Sequence, residues 1–505
     1  MKRKYLYVLV SLIFISCDDQ LDLNPIGLIA QDEFYQNAED ANAAIVAAYN
    51  SMLSFHTAGG RPTGVDMWGD IQSSDAEPHP DGVAWNQIYQ YTLQPDNGEI
   101  RNQWFQIYEG IFRCNIALER IPLIEMDYEL KERLLKEAFF IRGWWNLRLA
   151  KIFGDAPLVT KTLAIDELYI PKSNREEIFS QVENDLKEAL SLPDNYDDSN
   201  VGRATSFSAR IVLAELYLWQ KKWASAKPLL EDIINSGNFQ LLDSYTSLFD
   251  GTTENHSETV FEIQYKANTG QPELGNFSTT YSAPNGEGYV PGGGWGWIRP
   301  TQDLVNEYEL VPKEDPRLNY SIFRLGDDFE GQIFKDVVNG TGFAVKKWVI
   351  SGRTGVEIEQ NHPWYTSANF ALYRYAEVLL MYAEVLNELG DPSEASRYIN
   401  MVRARPSVSM PPISNHLTYD EIFEAIRHER RVEFAFEGKI SFDLRRWGIA
   451  GEFLRSPDRW QNNVTINPQW GGNFFKFKDG QHEVFPIPQS EIDKSGGTLI
   501  QHPNW

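Results

Sequence analysis

The sequence predicts a mostly α-helical protein: a scaffold of tetratricopeptide-like helix pairs with a loop-rich region that carries a few short strands. Long parts of the chain repeat apolar residues at the spacing of amphipathic helices. The stretch Asp250–Phe370 departs from that pattern, because its run PNGEGYVPGGGWGW has six glycines and no helical period. Long aromatic loops on a helical frame are a common place for binding sites.

The helix pairs are predicted from one repeated spacing. Helical periodicity covers Ala371–Leu389 and resumes to about Arg403, and a similar pair lies within Ser206–Ile234. In both pairs a small residue of the first helix precedes a small residue of the second by twelve positions, which lets antiparallel helices approach closely. These residues are Ala214 and Ala226 in one pair, and Ala383 and Ala395 in the other.

Further helices are predicted from the same periodicity. They span Glu39–Phe55, Glu99–Arg120, Glu129–Lys151, Arg175–Leu192 and Tyr419–Phe436. The alternating segment Val260–Tyr265 predicts an isolated short strand, and the tail Asp458–Trp505 is expected to be rich in loops.

The first sixteen residues have the layout of a secretory signal peptide. Three basic residues at positions 2–4 precede the apolar run Tyr5–Ile15, and Ser16 is the small residue before the cleavage point. The apolar run is shorter than the ~20 residues that a transmembrane helix needs. We therefore expect residues 1–16 to be removed.

Cys17 follows this segment, so the N-terminus resembles a bacterial lipoprotein signal, in which the cysteine becomes the acylated first residue. More than one acyl chain anchors a protein durably to a membrane. Asp18, Asp19 and Asp22 resemble the surface-export signal of Bacteroidetes lipoproteins, which implies a position outside the cell. The alternative is an ordinary signal peptide with a chance cysteine.

Composition and motifs narrow the function. The formal net charge of −25 makes nucleic acid an unexpected partner, because such a chain repels phosphate backbones. The other cysteine, Cys114, lies in an apolar helical pattern and is expected to be buried and unreactive. The sequence contains neither a His-Glu-x-x-His nor a Gly-x-Ser-x-Gly motif. No cofactor is expected, although a structural calcium ion held by loop carboxylates stays open.

One group of charged residues could be taken for an active site. Its members stand at helical spacing, and we expect a buried network of ion pairs rather than catalysis. They are Arg430, Glu433, Glu437, Asp443 and Arg446.

Several ordered segments together resemble the SusD/RagB family of nutrient-binding outer-membrane lipoproteins of Bacteroidetes. The resemblance covers essentially the whole chain. The segments are EAFFIRGWWNLRLAKIFGDAPLV from Glu137, GRAT from Gly202, PTQDLVNEYE from Pro300, DPR from Asp315, YRYAEVLLMYAEVLNELG from Tyr373, INMVRAR from Ile399, RHERRVEFAFEGKISFDLRRWG from Arg427 and FPIPQSEI from Phe485.

The resemblance implies that residues 17–505 form one SusD-like domain anchored at the cell surface. Such proteins act as lids on SusC-like TonB-dependent transporters of the outer membrane. They capture oligosaccharides, or peptides in some branches, and pass them on without catalysis. Three alternatives stay open: a peptide-binding branch, a secreted glycoside hydrolase, and an adaptor whose loops bind only the transporter.

The resemblance places ligand contacts in two regions, Val65–Tyr91 and Tyr281–Trp297. A sugar ring lays its C–H face on an aromatic ring while polar groups at the edge bind its hydroxyls. The candidate ligand-binding residues are therefore Asp66, Trp68, Trp85, Tyr89, Tyr289, Trp295 and Trp297. The competing interpretation of each aromatic residue is that it fills a gap beside the helices.

Overall fold

The computed structural model describes most of the chain. The described residues are 34–53, 57–58, 61–62, 67–271, 274–310, 313–335, 340–350, 355–457, 459 and 476–505. None of the helices in these ranges is long and apolar enough to span a lipid bilayer.

Helices dominate the described residues, and the strands are short. The helices are α1 Ala38–Leu53, α2 Met67–Gln72, α3 Val83–Tyr89, α4 Gly98–Arg120, α5 Tyr128–Phe153, α6 Arg175–Ala189, α7 Ser206–Trp219, α8 Trp223–Asn235, α9 Ser278–Ser282, α10 Gln302–Tyr308, α11 Arg317–Ser321, α12 Tyr375–Glu388, α13 Pro392–Arg403, α14 Tyr419–Glu433, α15 Ile440–Trp447, α16 Ala450–Leu454 and α17 Gln489–Lys494. Short 3-10 turns cover Ile121–Leu123, Ile165–Glu167 and Thr246–Leu248.

The strands pair two by two, and all of the pairs are antiparallel. They are β1 Thr57–Ala58 with β2 Arg61–Pro62, β3 Ala76–Pro78 with β5 Ile298–Pro300, β4 Thr259–Ile263 with β10 Phe370–Arg374, β6 Ile322–Arg324 with β9 Phe343–Val345, and β7 Asp328–Phe329 with β8 Gln332–Ile333. The predicted fold class, mostly helical with a few short strands, is confirmed.

The predicted helix pairs are present. Helices α7 and α8 pack together, α12 and α13 pack together, and α12 also packs on α8. The four alanines that define the twelve-residue spacing are fully buried, as close helix approach requires. Local signals set the starts of the long helices, since Asn97, Asp127 and Asn174 each accept a hydrogen bond from a backbone N–H of the first turn.

The long helices α4 and α5 show how the sequence permits close packing. Gly110 lies against the indole of Trp145, where a Cβ would fall 2.1 Å from Nε1. Trp145 is fully buried, and its indole N–H donates to Ser51 Oγ at 3.0 Å. Cys114 is buried on α4, and burial raises the pKa of its thiol well above the usual range, as expected of an unreactive cysteine.

The predicted helix Ala371–Leu389 starts four residues later than expected, at Tyr375. Its first residues form β10, which pairs with β4, so the strand predicted as isolated has a partner. A short apolar run fits a strand as well as a helix, and the available partner strand decides between them. Arg374 ends β10 in an extended conformation that directs its guanidinium to Glu258, 2.9 Å away.

Charged residues of the predicted network are buried and paired. Arg430 Nε lies 2.7 Å from Asp443 Oδ2, and Arg446 Nη2 lies 2.8 Å from Asp443 Oδ1. Glu433 and Glu437 belong to an adjoining cluster in which no side chain is more than 8% exposed. Within the described residues, that cluster links Arg317, Lys347, Arg374, Arg403 and Arg405 with Glu258, Asp315, Glu429, Glu433 and Glu437. The prediction of an ion-pair network is confirmed.

Candidate ligand-binding site

The strand pair β3–β5 joins the two loop regions in which ligand contacts were predicted. Its register sets Ala76 opposite Pro300 and Pro78 opposite Ile298. The pairing continues beyond the strands, because the backbone N–H of His79 donates to the carbonyl of Trp297 at 2.9 Å. Residues far apart in the sequence therefore share one surface.

Two aromatic residues of helix α9 and its N-cap form the base of this surface. Phe277 and Tyr281 are four residues apart, so they lie on the same side of the turn, with ring centroids 6.2 Å apart. Trp297 stacks on Tyr281 at 5.6 Å with the ring planes 9° apart. Trp295 meets Phe277 edge to face at 4.9 Å. Both tryptophans are half-buried, so each presents part of its ring to solvent.

Trp364 completes the group, and we call Trp295, Trp297 and Trp364 the tryptophan cluster. The ring of Trp364 lies 6.4 Å from that of Trp295 at 64°. Its indole N–H donates to the carbonyl of Gly292 at 3.1 Å. Gly292 has φ +77° and a Cβ there would fall 2.9 Å from Trp364 Cδ1, so glycine is needed for both reasons.

Trp364 was not among the predicted site residues. It lies about seventy positions after Trp295, and no short sequence pattern connects the two. The signal that could have found it was its setting, the polar and proline-containing run Asn361–Trp364 within the loop-rich region.

Trp85 and Tyr89 lie behind the cluster rather than on the surface. Trp85 is 6% exposed and its ring is 6.3 Å from that of Tyr281, whereas Tyr89 is 1% exposed. Glu99 accepts a hydrogen bond from Trp85, and burial raises the pKa of Glu99 to about 7. Trp85 therefore packs against the stacked ring of Tyr281 from the inside of the protein.

Tyr289 lies in a separate group of aromatic residues. It is buried at 5% exposure, and its ring packs with three phenylalanine rings at centroid distances of 5.7–6.4 Å. Those rings belong to Phe323, Phe329 and Phe334. The described contacts do not bring Tyr289 to the tryptophan cluster.

Three other predicted residues are not described in full. Cys17 and Asp66 lie outside the described residues. The backbone of Trp68 is part of helix α2, but its side chain is not described. Their proposed roles stay predictions.

The tryptophan cluster can bind a ligand that has both apolar and polar faces. Its rings offer flat apolar surface, and polar side chains lie on the segments that carry these rings or, at Gly82, contact them. These side chains are His79, Asp81, Asn86, Asn285, Glu287 and His362. Burial lowers the pKa of His79, which favours its neutral form at pH 7. Within the described part of the chain, no group of three or more His, Cys, Asp or Glu is placed to hold a metal ion.

Comparison with known families gives this arrangement its context. The model of the SusD family matches residues 257–505. A second model, described as starch-binding and associating with the outer membrane, matches residues 34–218. The chain belongs to the SusD family. The resemblance drawn from the sequence motifs is therefore confirmed.

Similar proteins cover nearly the whole length of this SusD-family chain. SusD-like protein P25 of Formosa agariphila is 27% identical over 97% of both chains. A solved laminarin-binding SusD-like protein is 26% identical, with a TM-score of 0.76 over 93% of this chain and all of its own. Surface glycan-binding protein A of Bacteroides thetaiotaomicron, solved in complex with laminarihexaose, is 24% identical, with a TM-score of 0.77 over 92% of this chain and 99% of its own.

Proposed function

We propose that this protein is a lipid-anchored glycan-binding protein of the cell surface that captures oligosaccharides and delivers them to a SusC-like TonB-dependent transporter. Residues 17–505 would form the mature domain, with Cys17 as the lipid attachment point. Binding would occur without turnover. The observation that carries the proposal is the tryptophan cluster, three half-exposed indole rings held together by a short helix and a strand pair.

The geometry supports a division of roles among the aromatic residues. Trp295 and Trp364 meet at 64°, so they offer ring surface in two directions to successive sugar units. Trp297 has one face against Tyr281, and Gly82 packs on its six-membered ring. It would contact the ligand mainly through its remaining edge. Trp85 would position the stack without touching the sugar.

The test is calorimetric titration of the soluble chain from Asp18 onward with laminarin, starch, xylan and mixed peptides. We expect binding to at least one glycan, weakened about tenfold or more by Trp295→Ala or Trp364→Ala, the effect of truncating an aromatic anchor. Trp223→Ala is the matched control, because Trp223 is also a half-buried tryptophan but lies in helix α8. Circular dichroism would confirm that all three variants are folded.

Each alternative has its own outcome. Binding of peptides but no glycan would place the protein in a peptide-binding branch. Shorter sugars in the recovered mixtures, detected by chromatography, would show hydrolysis and overturn capture without turnover. Unchanged glycan affinity in both tryptophan variants would show that the ligand binds elsewhere.

A further inference from the structure

The segments around the tryptophan cluster carry negative but no permanent positive charge. They are residues 79–86, 285–297 and 360–364, and they contain neither lysine nor arginine. Asp81 and Glu287 are their carboxylates, and both are exposed. Gly82, next to Asp81, packs on Trp297, and Glu287 follows Gly286, whose backbone pairs with Gly294 beside Trp295.

The basic residue that follows the cluster in sequence is already engaged. Arg299 comes two positions after Trp297 and is 4% exposed. Its Nη2 lies 2.9 Å from Glu77 Oε1 and donates to the carbonyl of Pro78 at 3.2 Å. Freeing it for a ligand would break this buried ion pair, which is strongly unfavourable. Arg299 therefore stabilises the strand pair β3–β5 rather than a ligand.

Such surroundings discriminate by ligand charge. Sulfate and carboxylate groups on a sugar are recognised by arginine forks or lysine ammonium groups. At this surface they would instead meet two carboxylates, and like charges brought together weaken binding. The formal net charge of −25 adds a repulsive field at longer range.

We propose that the tryptophan cluster binds uncharged glycans and discriminates against sulfated and uronic-acid glycans. This inference rests on the proposed function and specifies the substrate class of the same surface. Uncharged sugar hydroxyls can donate to the carboxylates of Asp81 and Glu287, whereas an anionic substituent finds neither lysine nor arginine within residues 79–86, 285–297 and 360–364.

The experiment compares polymers that share a backbone and differ only in charge. The probes are laminarin with chemically sulfated laminarin, and starch with carboxymethyl starch, titrated at 50 and 300 mM NaCl. We expect the neutral member of a bound pair to bind at least about tenfold more tightly at the lower salt. Its affinity should change little with salt, and the difference within the pair should shrink as salt screens the charges.

A charge-reversed pair of variants locates the effect. The double variant Asp81→Lys/Glu287→Lys should lower the ratio of the affinity for the neutral polymer to the affinity for the anionic polymer about fivefold or more at 50 mM NaCl. The control, Glu188→Lys with Asp198→Lys, makes the same change in net charge at two exposed carboxylates close to the end of helix α6. It should leave most of the ratio intact. An equal fall of this affinity ratio in both double variants would show that the charge selectivity comes from the net charge of the whole chain, and would overturn the inference.

Two further outcomes separate this inference from the proposed function. Tight binding of the sulfated polymer that is lost in Trp295→Ala would overturn the charge selectivity while supporting glycan binding at the cluster. Absence of binding to all four polymers and to a broader neutral panel would overturn the proposed function, and this inference with it.

Discussion

Replacing Glu433 by Gln should destabilise the protein by about 3–5 kcal/mol, because it leaves buried cations without a matching anion. One oxygen of Glu433 lies 3.0 Å from Arg374 Nη1 and 3.1 Å from Arg405 Nη2, and the other lies 2.8 Å from Arg317 Nη1. A charge pair about 4 Å apart attracts by about 4 kcal/mol at an effective dielectric constant of about 20. Three such attractions exceed the expected loss, because the amide still accepts hydrogen bonds and the arginines keep other carboxylates.

The assay is urea unfolding followed by circular dichroism. Glu109→Gln is the matched control, because Glu109 pairs with Arg113 on the surface of α4 at 2.5 Å and its side chain is 50% exposed. That change should alter the free energy of unfolding by less than about 1 kcal/mol. If Glu433→Gln also lowers the free energy of unfolding by less than about 1 kcal/mol, the claim that the cluster depends on charge balance is refuted.

A double variant tests the same reasoning from the other side. Glu433→Gln with Arg405→Met removes one cation together with the anion and restores the balance of the cluster. The double variant should lose about 1–3 kcal/mol less free energy of unfolding than the sum of the losses in the two single variants. Strict additivity would show that the two residues act independently, against the 3.1 Å contact between them.

Two other predictions concern acid stability and membrane attachment. Burial raises the pKa of Glu307, but the charge of Arg431 and the hydrogen bond with His428 outweigh it and lower that pKa to about 2. Ionised Glu307 should therefore stabilise the fold by about 3 kcal/mol above pH 4.5, and this contribution is lost as the pH falls toward 2. In urea unfolding, the difference in unfolding free energy between wild type and Glu307→Gln should shrink between pH 7 and pH 3. A difference that does not change with pH would contradict this. Cys17→Ala should release the protein from the membrane fraction whereas Cys114→Ala, at a buried thiol, should not; retention of the Cys17 variant would contradict lipid anchoring.

The helical scaffold could be predicted from the sequence because its signals are local. A helix face repeats within a few residues, and the spacing from Ala383 to Ala395 lies within one helix pair. The strand Phe370–Arg374 was missed because its choice depends on Thr259–Ile263, more than a hundred positions away. A partner at that distance leaves no trace in a local pattern.

The surface that carries the tryptophan cluster could be predicted in its regions but not in its members. Trp295 and Trp297 could be placed in a loop, yet their exposure depends on Phe277 and Tyr281 beneath them. Trp85 stood in a segment of the same kind and proved to be buried. Composition identifies aromatic residues, but only the packing of distant segments decides which ring faces solvent.

The charged motif of α14 connects the scaffold to this surface. Arg431 is 4% exposed, and its Nη2 lies 2.7 Å from Asp75 Oδ1 and 2.6 Å from Asp303 Oδ2. Asp75 immediately precedes strand β3, and Asp303 follows strand β5 by three residues. Because Ala76 faces Pro300, both carboxylates lie at the same end of the strand pair, and one guanidinium holds the two strands together at the end away from Trp297. Arg431 neighbours the group that looks most like an active site in the sequence, and its role is structural, because it fixes the strand pair beneath the tryptophan cluster on the helical frame.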